Sequence, residues 1–232
     1  MTAEEEPVTI ALPDGTQVSG LWQAPAAAIA TYVFAHGAGA GMRHPFMAAL
    51  ATDLAARDIA TLRYQFPYME RGSKRVDSPA LAHATVRAAV ATAALRAPGT
   101  SLFAGGKSFG GRMASQAQAA SALPGVKGLA FVGFPLHPAG KPARDRAAHL
   151  ANVAIPMLFL QGTNDDLADL AFLLPEVTAL GPRATLVTFE SADHAFHVPA
   201  RSGRRDADVR AALAAAMRDW MGVVGTTRDD RR

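Results

Sequence analysis

Short, unbroken apolar runs alternate along the chain with longer segments of mixed polarity. A run such as Ala30–Ala35 is typical of a strand buried on both faces of a sheet. The longer segments between these runs have the length of globular helices. The runs predicted as strands are Ala30–Ala35, Ile59–Tyr64, the run from Ser101 up to Gly106, 126–133, 155–161 and Ala184–Phe189. The segments predicted as helices are 44–57, Pro79–Arg96, the segment after Ser108 as far as Ala122, 167–180 and 206–221.

The start of the chain and its first long connection carry recognisable turn and helix signals. Two β-prone runs, 7–12 and 16–22, flank Pro13-Asp14-Gly15, which is a turn signal and predicts an opening hairpin. A polar segment at 65–77 is predicted as a loop. It ends at Ser78-Pro79, a pair that predicts a helix N-cap followed by the first helical residue.

Strands that alternate with helices at this spacing predict an α/β fold, with a mostly parallel, doubly wound sheet and helices on both faces. About 20 residues separate the strand ending near Gly133 from the strand beginning at Ile155, which leaves room for a short helix and not for a large lid. We expect one domain over residues 1–224 and a disordered tail over residues 225–232.

The amino-acid composition excludes several kinds of active site and binding partner. The chain has 232 residues, no cysteine and a net charge of +3, so disulfides, thiolate metal sites and a cysteine nucleophile are excluded. Arginines alternate with acids at 201–208, which is typical of a solvated surface and not of a nucleic-acid track. The acidic first residues and the lack of a long apolar run predict no signal peptide, no membrane association and a cytoplasmic location.

The strongest chemical signal is Gly106-Lys107-Ser108-Phe109-Gly110, which lies where an apolar strand runs into helix-forming residues. This pattern predicts a nucleophile elbow, a strained turn that lifts a serine hydroxyl clear of the sheet. Gly106 and Gly110 lie two residues either side of Ser108, where a Cβ would collide with the neighbouring backbone. The start of the following helix favours negative charge beside Ser108.

The positions of the glycines exclude two kinds of phosphate-binding loop. Residues 106–108 also resemble the end of a P-loop, but that pattern needs a glycine where this chain has Ser101. The glycine-rich segment 36–41 resembles a dinucleotide-binding loop, but the position of the last required glycine holds Met42 or His44, depending on the glycine from which the count begins. A strand-to-helix turn with an idle serine remains the third alternative.

A serine nucleophile needs an imidazole to take its proton and a carboxylate to orient that imidazole. In an elbow fold the order along the chain is serine, acid, histidine, with each group at the carboxyl end of a strand. The segment 161–166 follows a buried strand and supplies the acid. We assign Asp165 to this role, with Asp166 as the alternative.

The base is expected in the segment 191–197, after the next strand. We assign His194, with His197 as the alternative. Asp193 is adjacent to His194, and because consecutive side chains diverge it is expected to brace the loop instead of orienting the ring. The remaining histidines outside the glycine-rich loop are expected to be structural or at the surface: His44, His83, His137 and His149.

The oxyanion of a tetrahedral intermediate needs two N–H donors in place. The elbow supplies one from Phe109, the residue after the nucleophile. The second is expected from the loop that follows the strand ending at Ala35. Ala38 is our first choice and Gly39 the alternative, and His36 is expected to brace this loop through hydrogen bonds.

Together these segments resemble the small predicted α/β-hydrolases, in particular the lidless branch near the dienelactone hydrolases that includes relatives of the third NSL-complex subunit. The resemblance covers nearly the whole chain and supports Ser108, Asp165 and His194 as a triad. Dienelactone hydrolases proper use a cysteine nucleophile, which this chain lacks, so their substrate is not carried over. The segments that carry the resemblance are 36–39, 106–112, 133–138, 161–165 and 193–196.

These residues predict a serine hydrolase that acts on small carboxylic esters or thioesters through an acyl-enzyme, without a metal or cofactor and without nucleic-acid or membrane partners. The alternatives are a non-catalytic binding or scaffold protein of the same fold and an acyltransferase with the same triad. Residues expected to line the mouth of the site are Arg63, Tyr68, Glu70, Arg71 and Lys107. Lys107 is expected either to bind an anionic substrate or to form a buried ion pair with a residue such as Glu70.

Overall fold

The computed structural model describes residues 3–141 and 143–226. Eight strands form one sheet in the order β1-β2-β4-β3-β5-β6-β7-β8. Pairing is antiparallel for β1 with β2 and for β2 with β4, and parallel for the rest of the sheet. The strands are β1 (Glu5–Ala11), β2 (Gln17–Gln23), β3 (Ala30–Ala35), β4 (Ile59–Tyr64), β5 (Ser101–Lys107), β6 (Val126–Val132), β7 (Met157–Gly162) and β8 (Ala184–Phe189).

Helices cover both faces of this sheet, which confirms the predicted fold class. The helices are α1 (Pro45–Ala55), α2 (Pro67–Glu70), α3 (Pro79–Arg96), α4 (Phe109–Ala120), α5 (Leu170–Ala179) and α6 (Asp206–Thr226). Residues of β3 alternate between two apolar cores: Val33 packs with residues of α3 and α4, whereas Tyr32 and Phe34 pack with residues of α1 and α6. Period-two alternation in a strand buried on both faces produces this division.

Local signals start the helices where the sequence places them. The Ser78 hydroxyl accepts a hydrogen bond from Leu81 N, and Pro79 is the first residue of α3. At α1 the cap is His44, whose Nδ1 accepts from Phe46 N at 3.2 Å. These bonds satisfy backbone donors that have no partner within the helix.

The connection from β6 to β7 has no room for a large lid. Among its described residues, the regular structure consists of one 3₁₀ helix, Asp145–Asn152. In the part of the chain that the structure describes, no helix is both long enough and apolar enough to cross a membrane.

Two segments differ from the sequence-based prediction. The predicted polar loop contains α2, because Pro67 favours a helical start and Tyr68 is buried. Helix α6 continues to Thr226, two residues into the predicted disordered tail, and its Gly225 carbonyl accepts hydrogen bonds from Ser101 and Lys127 side chains. The remaining tail, residues 227–232, lies outside the described residues.

The parallel arrangement determines where chemistry can occur. Strands β3, β5, β7 and β8 run in the same direction, so the loops that follow them gather at one edge of the sheet. Those loops, together with Phe109 at the start of α4, contain every residue predicted to act in the triad or the oxyanion site.

Candidate active site

Ser108 lies in a strained turn between β5 and α4, with φ 49° and ψ −115°. The turn packs closely against β3, so a Cβ on Gly106 would lie 2.4 Å from Ala35 O and one on Gly110 would lie 2.6 Å from Ala35 Cβ. The β5 and α4 backbones are also close, since a Cβ on Gly106 would lie 2.9 Å from the Gly110 carbonyl carbon. Non-glycine residues would therefore collide at both positions. The predicted reason for the two glycines of the elbow is confirmed.

His194 links Ser108 to Asp165. Its Nε2 lies 2.9 Å from Ser108 Oγ and its Nδ1 lies 2.7 Å from Asp165 Oδ2. Because the carboxylate accepts the proton on Nδ1, the lone pair on Nε2 faces the serine hydroxyl. The Asp165 side chain is fully buried, whereas one fifth of the His194 side chain is exposed.

Asp165 is held by two further hydrogen bonds. Its Oδ1 accepts from Leu167 N at 2.8 Å, and its Oδ2 accepts from the side-chain amide of Gln161. Gln161 in turn accepts from Phe134 N at 3.0 Å. The sequence reasoning did not assign a role to Gln161. A polar side chain near the end of an otherwise apolar strand, four residues before the acid, was the available signal.

The alternative acid and base lie outside this arrangement. Asp166 is exposed. His197 is also exposed, and its Nδ1 lies 2.9 Å from Asp206 Oδ2, a contact that raises the pKa of His197. Asp193 accepts hydrogen bonds from Ala195 N and His197 N, so it braces the loop as predicted.

The loop after β3 is held from two sides. Nδ1 of His36 donates to the Gly37 carbonyl at 2.7 Å, and Nε2 accepts from Phe66 N at 3.2 Å. Burial lowers the pKa of His36, which suits the neutral ring that this pattern requires. The predicted bracing role is confirmed. On the other side, Gly39 N donates to the Tyr68 hydroxyl at 2.9 Å.

This contact separates the two candidates for the second oxyanion donor. Gly39 N already donates a hydrogen bond to the Tyr68 hydroxyl. Ala38 N and Phe109 N donate to no group among the described residues. The two donors preferred from the sequence are therefore the ones that remain available to a ligand.

Lys107 does not form the ion pair considered from the sequence. Its ammonium donates to the His194 carbonyl and lies 5.4 Å from the centre of the Phe196 ring. The Glu70 carboxylate instead accepts from Ser19 N at 2.6 Å. Burial of the ammonium lowers the pKa of Lys107 to about 8, against the opposing effect of Asp165 and Asp193.

The expectation that Arg63 and Tyr68 bind substrate is corrected. Arg63 is fully buried, forms an ion pair with Glu5 and donates to the Met42 carbonyl at 3.2 Å. Tyr68 is also buried, and its hydroxyl accepts a hydrogen bond from the loop that follows β3. Both residues act within the protein, because the terminal nitrogens of Arg63 and the hydroxyl of Tyr68 bond to neighbouring segments.

Arg71 was also expected at the mouth of the site, but its guanidinium forms an ion pair with Asp77 at 2.8 Å. The one other charged residue expected at the mouth, Glu70, lines a second groove described below.

A cavity of about 360 Å³ opens beside Ser108 and His194. Most of its wall is apolar, and its polar contributions come chiefly from the nucleophile, the base, His44 and Lys107. The ring of His44 was expected to have only a structural role, and it both caps α1 and lines this cavity. The lining residues are Gly37, Ala38, Ala40, His44, Phe46, Met47, Lys107, Ser108, Leu167, His194 and Ala195.

A larger groove of about 650 Å³ adjoins the loop that follows β3. It shares Ala40 and His44 with the first cavity but contains none of Ser108, Asp165 and His194. Of these two cavities, the smaller one is therefore the one that Ser108 and His194 line.

The other histidines make local contacts. His149 Nε2 lies 2.7 Å from Ser115 Oγ, and His83 Nε2 lies 3.3 Å from Gln116 Oε1. His137 Nδ1 bonds to the Pro138 carbonyl at 2.9 Å. None of these three rings contacts Ser108.

Residues 28–222 match the family model described as an alpha/beta hydrolase domain. The chain belongs to the α/β-hydrolase family. This agrees with the eight-stranded sheet and with the resemblance noted in the sequence, although the relationship to the third NSL-complex subunit stays a prediction. Comparison with curated protein sequences finds no match.

Solved structures of other α/β-hydrolases share the fold across the whole chain. A lidless α/β serine hydrolase from Xanthomonas campestris is 23% identical with a TM-score of 0.73, covering 95% of this chain and 96% of that one. A dienelactone hydrolase from Anabaena variabilis is 21% identical with a TM-score of 0.77, covering 96% and 99%. An esterase domain from Rhodothermus marinus is 17% identical with a TM-score of 0.73, covering 96% and 100%. At these identities the likeness establishes the fold alone.

Proposed function

We propose that this α/β-hydrolase is a serine hydrolase that cleaves small carboxylic esters or thioesters through an acyl-enzyme. The observation that carries the proposal is the continuous hydrogen-bonded path from Ser108 through His194 to the buried Asp165, with contacts of 2.9 Å and 2.7 Å. A hydroxyl, an imidazole and a carboxylate in this order are the groups that make an alcohol nucleophilic at neutral pH.

In the acylation step, Ser108 Oγ attacks the substrate carbonyl while His194 Nε2 takes its proton. Asp165 holds the proton on Nδ1 and stabilises the imidazolium that forms. The negative oxygen of the tetrahedral intermediate accepts hydrogen bonds from Ala38 N and Phe109 N. The bond to the leaving oxygen or sulfur then breaks, and the proton on Nε2 passes to the alcohol or thiol.

Deacylation uses the same groups in reverse order. His194 takes a proton from water, and the resulting hydroxide attacks the acyl carbonyl. The ester bond to Ser108 breaks and the serine oxygen regains the proton from His194, so the acid is released and the enzyme is restored.

The size of the substrate is inferred from the cavity. About 360 Å³ is at the small end for a ligand site, and Met47 and Leu167 are among its apolar lining residues. Because no large lid closes over it, a long acyl chain would remain in water. The best substrates are therefore expected to carry short acyl groups.

Active-site labelling with a fluorophosphonate probe tests the proposal directly. We expect stoichiometric labelling of the wild-type protein and none of Ser108→Ala. The matched control is Ser115→Ala, because Ser115 also lies 2.7 Å from a histidine nitrogen but His149 has no hydrogen-bonded carboxylate among the described residues. An unlabelled, folded wild-type protein would support the scaffold alternative instead.

A series of p-nitrophenyl esters of increasing chain length tests the substrate class. Turnover is expected to be highest with acetate or butyrate and to fall with longer chains. A maximum with long chains would contradict the small-substrate proposal.

A further inference from the structure

Lys107 connects the nucleophile to the backbone of the base. It directly precedes Ser108, and its ammonium donates a hydrogen bond to the carbonyl oxygen of His194. Residues 107 and 108 therefore contact the same histidine twice, once through its side chain and once through its main chain. The triad chemistry described above uses only the first contact.

The segment that carries His194 is held by contacts with its neighbours and not by regular secondary structure. Residues 190–199, between β8 and α6, form neither helix nor strand. Two non-glycine residues of this segment, Ser191 and Phe196, have positive φ angles of 60° and 64°. Backbone of this kind is held in place by its surroundings and not by its own conformational preference.

The surroundings of the ammonium restrict its position. The Phe196 ring lies on one side of it, and that ring stacks on Phe46, which lines the catalytic cavity. On another side, a Cβ on Gly133 would lie 3.0 Å from Lys107 Nζ and 3.4 Å from His194 Cε1. The amine and the imidazole are therefore packed together against the end of β6.

Two carboxylates lie near the ammonium. The titratable groups facing it are His194 itself, the buried Asp165 after β7, and Asp193 of the β8–α6 segment. Both carboxylates favour the charged form of the amine, against the effect of its burial.

We propose that Lys107 is a positioning residue, which holds the main chain of His194 in register with Ser108 through its hydrogen bond to the His194 carbonyl. This inference rests on the proposed serine-hydrolase function. It replaces the two roles considered from the sequence, since the ammonium donates its hydrogen bond to the protein.

Lys107→Met tests this role, because methionine keeps most of the stem but has no charge and no donor. With the neutral substrate p-nitrophenyl acetate, we expect kcat to fall at least about tenfold while KM changes less than about twofold. Ser108→Ala supplies the blank for spontaneous hydrolysis.

Two further variants separate positioning from general stability. Lys107→Arg keeps a charged donor at this position and should recover most of the kcat that Lys107→Met loses. Lys127→Met is the matched control, because Lys127 also donates to a main-chain carbonyl, Gly225 O at 2.9 Å, but at the opposite end of the sheet. Its kcat and its pH profile should equal those of the wild type.

The pH profile provides a second measurement. Because burial brings the pKa of Lys107 to about 8, wild-type activity should decline as the pH rises through that value and the ammonium loses its proton. Lys107→Met should lack this decline, and a decline of equal size in that variant would overturn the proposal.

Other outcomes overturn it equally clearly. One is a folded Lys107→Met variant with wild-type kcat. Another is a variant whose KM rises only for esters bearing a carboxylate while kcat is unchanged, which would make Lys107 a substrate contact. If the proposed serine-hydrolase function itself is wrong, the wild-type protein will neither hydrolyse esters nor react with the fluorophosphonate. That result differs from every outcome that concerns Lys107 alone.

Discussion

The Tyr68 hydroxyl accepts a hydrogen bond from Gly39 N at 2.9 Å, although the two residues lie on different connections at the carboxyl edge of the sheet. This contact turns the Gly39 amide away from the role of oxyanion donor. It also braces the β3–α1 loop beside Ala38, whose amide remains free of partners among the described residues. A buried tyrosine thus supports the proposed oxyanion site without contacting the substrate.

Removing this hydroxyl should weaken catalysis more than stability. We expect Tyr68→Phe to lower kcat/KM for p-nitrophenyl acetate about fivefold, because one neutral hydrogen bond of about 1 kcal/mol no longer fixes the loop. The matched control is Tyr32→Phe, whose buried hydroxyl donates to the Ala130 carbonyl at 2.8 Å within the sheet. That variant should lose similar stability with unchanged kcat/KM. Equal losses of activity in both variants would contradict the role of Tyr68.

The two adjacent aspartates give a direct test of the acid. Asp165→Asn should lower kcat by about a thousandfold or more, because an amide can stabilise the wrong imidazole tautomer and cannot balance the imidazolium. Asp166→Asn should stay near wild type, since its side chain is exposed and lies outside the triad. Steady-state kinetics on both variants decide which aspartate is the acid. A larger loss of kcat in Asp166→Asn than in Asp165→Asn would assign the role to Asp166.

The two histidines of the β8–α6 segment are tested in the same way. His194→Ala should abolish fluorophosphonate labelling, because Ser108 loses its general base. His197→Ala should label normally, since it removes only an exposed contact with Asp206. Strong labelling of a folded His194→Ala variant would show that Ser108 is activated by another group.

Replacing a glycine by alanine should change the free energy of unfolding in opposite directions in helices α4 and α6. Gly110→Ala should lower the free energy of unfolding by about 1–3 kcal/mol, because its Cβ would lie 2.6 Å from that of Ala35 and the elbow cannot open without moving β3. Gly222→Ala should raise it by about 0.5–1 kcal/mol, since alanine favours helix and the nearest atom to its Cβ is 3.9 Å away. Urea unfolding measures both.

Acid sensitivity of the fold should depend in part on His149. Burial lowers its pKa to about 4 from the ordinary 6.5, with Arg112 and His83 adding to the effect. The unfolded chain therefore binds a proton between these two pH values that the folded chain does not, so stability is present above pH 6.5 and is lost as the pH falls towards 4. Because the ring is half-buried, we expect a loss of about 1 kcal/mol after allowing for solvent screening.

Comparing the unfolding free energy at pH 7 and pH 5 checks this prediction. His149→Gln should show a smaller difference between the two pH values than wild type, since glutamine does not titrate. An unchanged difference would mean that other groups account for the acid sensitivity.

Features that depend on neighbours along the chain were predictable from the sequence. The glycines around Ser108, the cap at Ser78 and the alternation of strands with helices act over a few residues, so their pattern indicates the element they form. Together with the chain order of serine, acid and histidine in elbow folds, they also placed Asp165 and His194 at one edge of the sheet.

The bracing roles of His36 and Asp193 were predictable, but those of several other polar residues near that edge were not. Arg63 was expected at the mouth, but it is buried against Glu5, 58 residues away. Tyr68 and Gln161 brace the site through contacts with Gly39 and Phe134. A sequence pattern shows which side chains carry donors and acceptors, but not which partner each one meets.

The sequence by itself determined the order of the elements, the elbow and the chemical types of the three proposed catalytic groups, because these follow from local geometry and from the direction of parallel strands. Only the tertiary structure decided which amide remains free beside Ser108 and that Lys107 contacts the backbone of His194. Those outcomes depend on packing between loops distant in sequence, where burial makes an unpaired polar atom costly and so selects the partner.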